Sequence, residues 1–223
     1  MVFCCDPKQP YAEICGTVLA PQAVLLHSDT CYFGVRFLPG YNPVLGSSEI
    51  MSQLVNHQIP LDELIQDRRM LEGICGTTDF RKQIRAFMRS YMNIYRRACP
   101  MEHSNLLVLH SFNLLIRSAG SISIEQLAED TGYTARYIDR CFRNETGLSP
   151  KQLAKIVRFQ AAVSALNQNQ HKGRSLTEIA ADLGYFDQSH FVHDFKAYTG
   201  LTPKKYQKLL LHDSFEEKLR IVQ

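Results

Sequence analysis

Residues 121–133 read S-I-S-I-E-Q-L-A-E-D-T-G-Y, and residues 173–185 read G-R-S-L-T-E-I-A-A-D-L-G-Y. Each stretch is followed by a second match, F-R-N-E-T-G-L-S-P-K at 142–151 and F-K-A-Y-T-G-L-T-P-K at 195–204. The second copy has one additional residue after its Gly-Tyr pair. Each copy predicts a short helix, a turn at a glycine and a second helix, which is the outline of a helix-turn-helix.

Helix start and stop patterns surround both copies. Ser123 and Ser175 each lie three residues before a Gln or Glu, the spacing of a capping box, in which two side chains satisfy two free backbone N–H groups. Further N-cap candidates are Thr134, Ser149, Asp187 and Thr202, and glycines at 132, 147 and 184 mark helix ends. Between the copies, Pro150 opens a helix that we expect to end near residue 166, before a polar break at 167–173.

The second helix of each copy has an apolar face and a polar face. In residues 135–146, Ile138, Cys141 and Phe142 have the i, i+3, i+4 spacing of an inward face. The outward set is Arg136, Asp139, Arg140 and Arg143. In the second copy Phe191 and Phe195 take the inward positions. Its outward set is Gln188, Ser189, His190, Val192, His193 and Lys196.

These outward side chains fit the chemistry of a DNA major groove, which is about 12 Å wide and admits one helix. Arg136 and Arg140 have the bidentate geometry that reads guanine, whereas Asp139 either accepts from a cytosine amine or orients an arginine. Gln188 matches adenine, and Val192 matches a thymine methyl group. Successive groove segments lie about 34 Å apart, and a connecting helix of roughly 25 Å is the right order of length to hold two reading helices at that spacing.

The charge distribution favours the same partner. Residues 1–103 carry no net charge, residues 104–212 carry +4 and the last eleven carry −1, so the basic excess lies on the repeats. We expect phosphate contacts from the basic residues at helix ends and outer faces. These residues are Arg143, Lys151, Lys155, Arg158, Lys196, Lys204 and Lys205.

Residues from about 104 to 210 resemble the DNA-binding domain of the AraC/XylS family of bacterial transcription regulators. The matching segments are I-E-Q-L-A-E-D-T-G-Y (124–133), R-Y-I-D-R-C-F (136–142), G-L-S-P (147–150), I-A-A-D-L-G-Y (179–185), D-Q-S-H-F (187–191) and T-G-L-T-P-K-K-Y (199–206). The resemblance implies seven helices, with recognition helices at 135–146 and 188–198. It implies base contacts at Arg136, Asp139, Arg140, Gln188, Ser189, His190, Val192 and His193. The family often has a basic residue where this chain has His193.

The first hundred residues predict a few-stranded sheet followed by helices, an α+β domain in front of an all-α one. Strands are expected at 12–20, 22–27 and 31–38, and helices at 47–56, 60–66, 80–97 (with Asp79 as N-cap) and 102–117. The segments G-V-R-F-L-P-G (34–40) and I-P-L-D-E-L (59–64) resemble the later part of a cupin-like sensor region. About 40 residues are too few for an eight-stranded barrel, so this sensor is either shortened or incomplete.

We therefore divide the chain into three parts. Residues 1–100 form a sensor- or dimerisation-like domain, 101–212 an AraC-type double helix-turn-helix domain, and 213–223 a charged tail. No apolar run of about 18 residues predicts a membrane span, and the first ten residues lack the pattern of a secretion leader. Seven irregularly spaced cysteines favour reduced thiols in the cytoplasm.

The predicted function is sequence-specific transcription regulation without catalysis, cofactor or metal. Double-stranded DNA is the predicted partner, with RNA polymerase, a small-molecule effector and a second copy of the chain as further candidates. Two alternatives stay open at this stage. One is a methyl acceptor in the repair of alkylated DNA, which requires paired cysteines around zinc, whereas Cys4 and Cys5 are adjacent and the others are scattered. The other is a protein-interaction module that no longer binds DNA.

Overall fold

The computed structural model describes residues 1–21, 24, 26–27, 30–41, 51, 53–65, 68–98, 103–169 and 173–211. In these residues the strands are β1 (Val2–Cys5), β2 (Tyr11–Cys15), β3 (Cys31–Gly34) and β4 (Gln58–Pro60). The helices are α1 (Leu61–Leu64), α2 (Arg69–Cys75), α3 (Phe80–Ala98), α4 (His103–Arg117), α5 (Ile124–Thr131), α6 (Ala135–Thr146), α7 (Pro150–Gln168), α8 (Leu176–Asp182), α9 (Gln188–Thr199) and α10 (Pro203–Leu211).

The chain divides into two compact units. The first comprises Met1–Thr17, Leu25–Leu109 and Arg140–Leu148, and the second comprises Val18–Val24, His110–Asp139 and Ser149–Gln223. The strands and α1–α3 belong to the first unit, whereas α5 and α7–α10 belong to the second. The division of the sequence at residues 100/101 and 212/213 stays a prediction.

The first unit is built on a four-stranded antiparallel sheet in the order β3-β1-β2-β4. Phe3 at the centre of β1 is opposite Phe33 on β3, and their ring centroids lie 6.0 Å apart. Phe87 of α3 completes this aromatic group at 6.3 Å from Phe3. All three rings are buried, and Met70 and Ile74 of α2 belong to the same core, so α2 and α3 both pack on the apolar face of the sheet.

A buried polar side chain joins α2 to α3. Gln83 is only 3% exposed, and its Nε2 donates hydrogen bonds to the carbonyl oxygens of Ile74 at 3.3 Å and Thr77 at 3.0 Å. These carbonyls lie at the end of α2, where a helix leaves acceptors without partners. The N-cap prediction for α3 is confirmed, because Asp79 Oδ1 accepts from the backbone N–H of Arg81 at 2.9 Å.

The fold class is confirmed, but several N-terminal elements differ from the sequence prediction. β1 and β4 were not expected, because strands of four and three residues are too short to show alternation. Leu54–Asn56 form a turn rather than the end of a helix, and half of 47–56 lies outside the described residues. α1 is shorter than the helix predicted at 60–66, and α2 was not predicted. Of the strand predicted at 22–27, residues 24, 26 and 27 are described and are not in a strand.

The helices of the second unit agree closely with their predicted bounds. Helix α7 runs two residues beyond residue 166, to Gln168, because Asn169 organises its end. Asn169 is 7% exposed; its Nδ2 donates to the Arg174 carbonyl and its Oδ1 accepts from the Arg174 N–H, both at 2.8 Å. Helices α7–α10 enclose one apolar core containing Leu166, Ile179, Phe191 and Phe195.

Candidate nucleic-acid interface

The first helix-turn-helix has the predicted start and turn. Ser123 Oγ accepts from the Gln126 N–H at 3.1 Å, and Gln126 Oε1 accepts from the Ser123 N–H at 2.9 Å, so the capping box is closed. Gly132 ends α5 with φ of 72°, a left-handed conformation that favours glycine. Thr134 Oγ1 then accepts from the Tyr137 N–H at 3.3 Å and starts α6. The turn between α5 and α6 therefore depends on local contacts of Gly132 and Thr134, which sets the direction in which α6 begins.

Helix α6 separates an apolar face from a charged one. Ile138 and Phe142 are 0% exposed and Cys141 is 4% exposed, as the i, i+3, i+4 spacing predicted. Arg136, Arg140 and Arg143 are exposed, whereas Asp139 is half-buried. The structure thus brings three exposed guanidinium groups onto one helix, at positions one turn apart.

The second helix-turn-helix repeats this construction. The Ser175 and Glu178 capping box is closed on α8, and Gly184 has φ of 70° at the turn. Asp187 Oδ1 accepts from the His190 N–H at 2.7 Å and caps α9. Phe191 and Phe195 are 0% exposed, whereas Gln188, Ser189, His193 and Lys196 are exposed and Val192 is half-buried.

Gln188, the predicted adenine reader, is held in position by a residue that the sequence analysis did not select. The Thr177 hydroxyl of α8 donates a hydrogen bond to Gln188 Oε1 at 2.7 Å. A carbonyl oxygen has two lone pairs and an amide nitrogen two donors. Gln188 therefore keeps an acceptor site and both N–H donors for a base edge while its side chain is oriented.

The two predicted histidine contacts differ from each other. The His190 ring lies edge-on to the Tyr185 ring at 5.3 Å, and its Nε2 is 3.5 Å from Asp194 Oδ2. The His193 side chain is 84% exposed, with Nδ1 3.8 Å from Asp194 Oδ1. The His190 side chain is 43% exposed and contacts Tyr185 and Asp194, whereas His193 extends further from α9 into solvent.

Phe186 is a further exposed residue at the start of α9, and the sequence analysis missed it. Its position directly before the N-cap Asp187 is that of a hydrophobic staple, which would pack on Phe191. Phe191 is instead covered by Tyr185 and Phe195, with ring centroids at 5.2 and 5.9 Å, and Phe186 is 93% exposed. An aromatic ring that does not contribute to the core therefore lies two residues before Gln188.

The predicted phosphate contacts divide into exposed lysines and one internally bonded arginine. The exposed members are Lys151, Lys155, Lys196, Lys204 and Lys205, together with Arg143. Arg158 is half-buried; its Nη2 donates to the Gly120 carbonyl at 2.7 Å, and its guanidinium carbon lies 5.3 Å from the centroid of the Tyr185 ring. Burial raises the pKa of Tyr185 to about 12, so its ring is neutral beside the guanidinium at physiological pH. Arg158 has a structural role, and its phosphate contact stays a prediction.

The described residues show neither a metal site nor a membrane-spanning helix. No group of three or more His, Cys, Asp and Glu side chains there is arranged to hold a metal ion. No helix among them combines the length and apolarity required to cross a bilayer.

Comparison with known proteins assigns the repeat region to a family. Residues 100–209, just under half of the chain, match the family model described as a helix-turn-helix domain, and this domain is of the AraC type. Relatives of this segment are named as transcriptional regulators and activators.

The individual relatives match different shares of their own lengths. A regulator named only as HTH-type, from Haemophilus influenzae, is 38% identical over 85 residues, 38% of this chain and 28% of its own. The transcriptional activator AarP of Providencia stuartii is 29% identical over 104 residues, 47% of this chain and 72% of its own. The XylDLEGF operon transcriptional activator of Pseudomonas putida is 29% identical over 83 residues, 37% of this chain and 26% of its own. The chain thus spans less than a third of the length of two of these three relatives.

Among solved structures, the C-terminal domain of AraT, a response regulator from Geobacillus stearothermophilus, matches 48% of this chain and 88% of its own. Its TM-score is 0.41 and its sequence identity 22%.

Proposed function

We propose that this chain is a sequence-specific DNA-binding transcription regulator that inserts α6 and α9 into successive segments of the major groove. The main support is that the same helix-turn-helix arrangement occurs twice in the chain. In each copy a left-handed glycine fixes the turn, two or more residues of the second helix are fully buried, and polar side chains occupy its outer face. A helix built in this way is held by its domain and is free to present hydrogen-bonding groups to base edges.

The two helices supply different chemistry. Arg136 and Arg140 of α6 match guanine O6 and N7, with Asp139 beside them as a cytosine acceptor. On α9, the oriented amide of Gln188 matches adenine and the half-buried Val192 matches a thymine methyl group. The exposed Phe186, two residues before α9, also matches a thymine methyl group. Ser189, His190 and His193 complete the proposed base contacts. The proposed operator is therefore asymmetric, with a G·C-rich part read by α6 and an A·T-rich part read by α9.

The connecting helix supports reading by a single chain. Helix α7 has 19 residues, which corresponds to about 28 Å. Repeated groove segments lie about 34 Å apart, so a helix of this length with a reading unit at each end has the correct scale. Lys151 and Lys155 are exposed one turn apart at the start of α7, where they are suited to phosphate contacts that fix the register.

The remaining parts of the proposal follow from this role. A regulator acts by binding rather than catalysis, and it acts where the chromosome is, in the bacterial cytoplasm. Because several relatives are named activators, RNA polymerase is the protein partner that we propose next to DNA. A small-molecule effector and a homodimer stay predictions for the N-terminal region.

Selection of bound fragments from the source genome tests the proposal. The purified full chain is incubated with sheared genomic DNA, and retained fragments are sequenced and searched for a shared site. We expect one asymmetric site of about two helical turns. Retention without a shared sequence, or no retention even at low salt, would contradict the proposed function.

Two substitutions then separate base reading from backbone contact at the selected site. Arg140→Ala should cost about 1–3 kcal/mol on the preferred site and relax selectivity at one base pair. Lys155→Ala should weaken binding to all sequences alike and reduce the dependence of affinity on salt. Equal losses on every sequence for both variants would exclude Arg140 as a base reader.

A further inference from the structure

The fold brings together three cysteines that are far apart in the sequence. Cys5 and Cys31 are directly opposite each other on the paired strands β1 and β3. Cys75 is the last residue of α2, and its thiol lies 3.8 Å from the carbonyl oxygen of Cys4. The Cys5 and Cys75 thiols are also close enough for each to affect the pKa of the other. All three are free thiols in the first unit.

The strand register fixes the geometry of the Cys5 and Cys31 pair. Met1 and Val35 exchange two backbone hydrogen bonds, both of 2.9 Å. Because hydrogen-bonded and non-hydrogen-bonded pairs alternate along antiparallel strands, Cys5 and Cys31 form a hydrogen-bonded pair with Cα atoms about 5.5 Å apart. Disulfides span Cα separations of about 4.4–6.8 Å, so backbone spacing permits a bond there as well.

We propose that Cys5 and Cys75 are a reversible dithiol/disulfide site, with Cys31 as a third thiol that can exchange into the bond. The oxidant is a peroxide. The Cys5 sulfur attacks the O–O bond of hydrogen peroxide and forms a sulfenic acid with release of one water. The Cys75 thiol then attacks that sulfur, and a second water leaves. In total two thiols and one hydrogen peroxide give one disulfide and two waters.

The opposite effects of the two thiols on each other's pKa order these steps. Burial raises the pKa of Cys5, but the Cys75 thiol acts in the opposite direction. Burial also raises the pKa of Cys75, and there the Cys5 thiol adds to the increase. Cys5 therefore becomes the thiolate first, and Cys75 is the resolving thiol.

Accessibility gives peroxide and reductant a path to the cluster. Cys31 is exposed, whereas Cys5 and Cys75 are half-buried. A Cys5–Cys75 bond would join the end of α2 to the end of β1, which the native packing already holds in contact. Attack by Cys31 on Cys5 would move the bond to the β1–β3 pair and release Cys75. The three thiols are not arranged as a metal site.

The test is a disulfide map of the full-length chain. The reduced protein is treated at low concentration with hydrogen peroxide, unreacted thiols are blocked with N-ethylmaleimide, and tryptic peptides are analysed by tandem mass spectrometry. We expect two of the seven thiols to escape blocking, and peptide 1–8 to be joined to peptide 70–81. Fragmentation of the wild-type pair identifies Cys5 rather than Cys4 as the bonded residue without any substitution. Reduction should restore all the thiols.

Matched variants sharpen the result, with circular dichroism as the check of folding. Cys4→Ala should keep the cross-link and Cys5→Ala should abolish it. Cys75→Ala should redirect the bond of Cys5 to Cys31 in peptide 9–36. Retention of all seven thiols under peroxide, a bond through Cys4, or bonds only between different chains would overturn the proposal.

Discussion

Arg158 Nη2 donates a hydrogen bond to the carbonyl oxygen of Gly120 at 2.7 Å, and this contact joins α7 to the turn in front of the first helix-turn-helix. The guanidinium also lies over the ring of Tyr185, the residue that directly follows the turn glycine of the second copy. Arg158 Nε is buried and has no hydrogen-bond partner among the described residues. One side chain of the connecting helix thus contacts the segment in front of one copy and the turn of the other.

Arg158→Met should lower the free energy of unfolding by about 1.5–3 kcal/mol, because a hydrogen bond from a charged donor is lost while the apolar stem is retained. Urea unfolding followed by circular dichroism measures the change. Lys155→Met is the control, since Lys155 is exposed on the same helix and should change stability by less than about 0.5 kcal/mol. Unchanged stability with reduced DNA affinity for Arg158→Met would show that its main role is a phosphate contact.

Gly120→Ala should be among the most damaging single substitutions in the second unit. Its φ is +75°, and an added Cβ would lie 2.2 Å from the carbonyl oxygen of Ala154. Gly132→Ala is the matched control, because φ there is +72° and no atom lies within 4 Å of the added carbon. Gly132→Ala should therefore show only the left-handed backbone cost of about 1–2 kcal/mol. Equal thermal midpoints for the two variants would contradict this explanation.

The sequence predicted the helices of residues 124–199 well because their boundaries depend on local chemistry. Ser123, Ser149 and Ser175 each close a capping box with the residue three positions later, and both interactions lie within one helical turn. Such contacts can be read from spacing alone. The buried faces of α6 and α9 were predicted for the same reason, since helical period determines which residues share a face.

The elements that sequence analysis missed depend on contacts between distant residues. β1 has only four residues, and its strand character comes from pairing with β2 and β3. The proximity of Cys5, Cys31 and Cys75 likewise follows from strand register and from the packing of α2. Phe186 was missed for a different reason, because its spacing fits a staple and only its observed exposure shows that none is formed.

Glu178→Gln should remove a pH-dependent part of the stability. Backbone and hydroxyl donors of Ser175 hold the pKa of Glu178 below its ordinary value of 4.5. The native state therefore binds this proton less readily than the unfolded state, so the contribution is complete above that ordinary value and is lost as pH falls through the lower folded pKa. Gln126 fills the same position in the first copy, so glutamine is compatible with a capping box there.

Thermal midpoints of wild type and Glu178→Gln, measured from neutral to acid pH, check this. The two curves should differ most near neutrality and converge at acid pH. The pKa of Glu125 is also lowered, but that residue is present in both chains and cancels in the comparison. A constant separation across the range would show that the charge of Glu178 does not contribute.

Thr177→Val should weaken adenine recognition without unfolding the domain. The substitution removes the hydroxyl that orients Gln188 Oε1, a hydrogen bond worth about 0.5–1.5 kcal/mol. Binding to the selected operator and to variants with one base pair changed in the α9 half measures the effect. Thr177→Ser keeps the hydroxyl and should behave as wild type. In a Gln188→Ala background, Thr177→Val should not lower the affinity for the operator any further. If it lowers the affinity as much there as in wild type, Thr177 does not act through Gln188.

Phe186→Ala should leave stability unchanged and alter the response of DNA binding to a single methyl group. The side chain is 93% exposed, so its removal takes almost no apolar surface from the core. If the ring contacts a thymine methyl, replacing that thymine by deoxyuridine should cost wild type about 0.8 kcal/mol, the value of one buried methyl-sized group. The same replacement should not change the affinity of Phe186→Ala for the operator.

The deoxyuridine series separates this contact from other uses of the ring. Each thymine of the α9 half-site is replaced in turn, and affinities are measured for wild type and Phe186→Ala by fluorescence anisotropy. At one position, the replacement should lower the affinity of wild type but not that of Phe186→Ala. If no position behaves in this way while Phe186→Ala still binds the operator normally, the exposed ring does not contact DNA, and a protein partner becomes its better explanation. If Phe186→Ala weakens binding to all sequences equally, the ring contacts the sugar-phosphate backbone instead of a base.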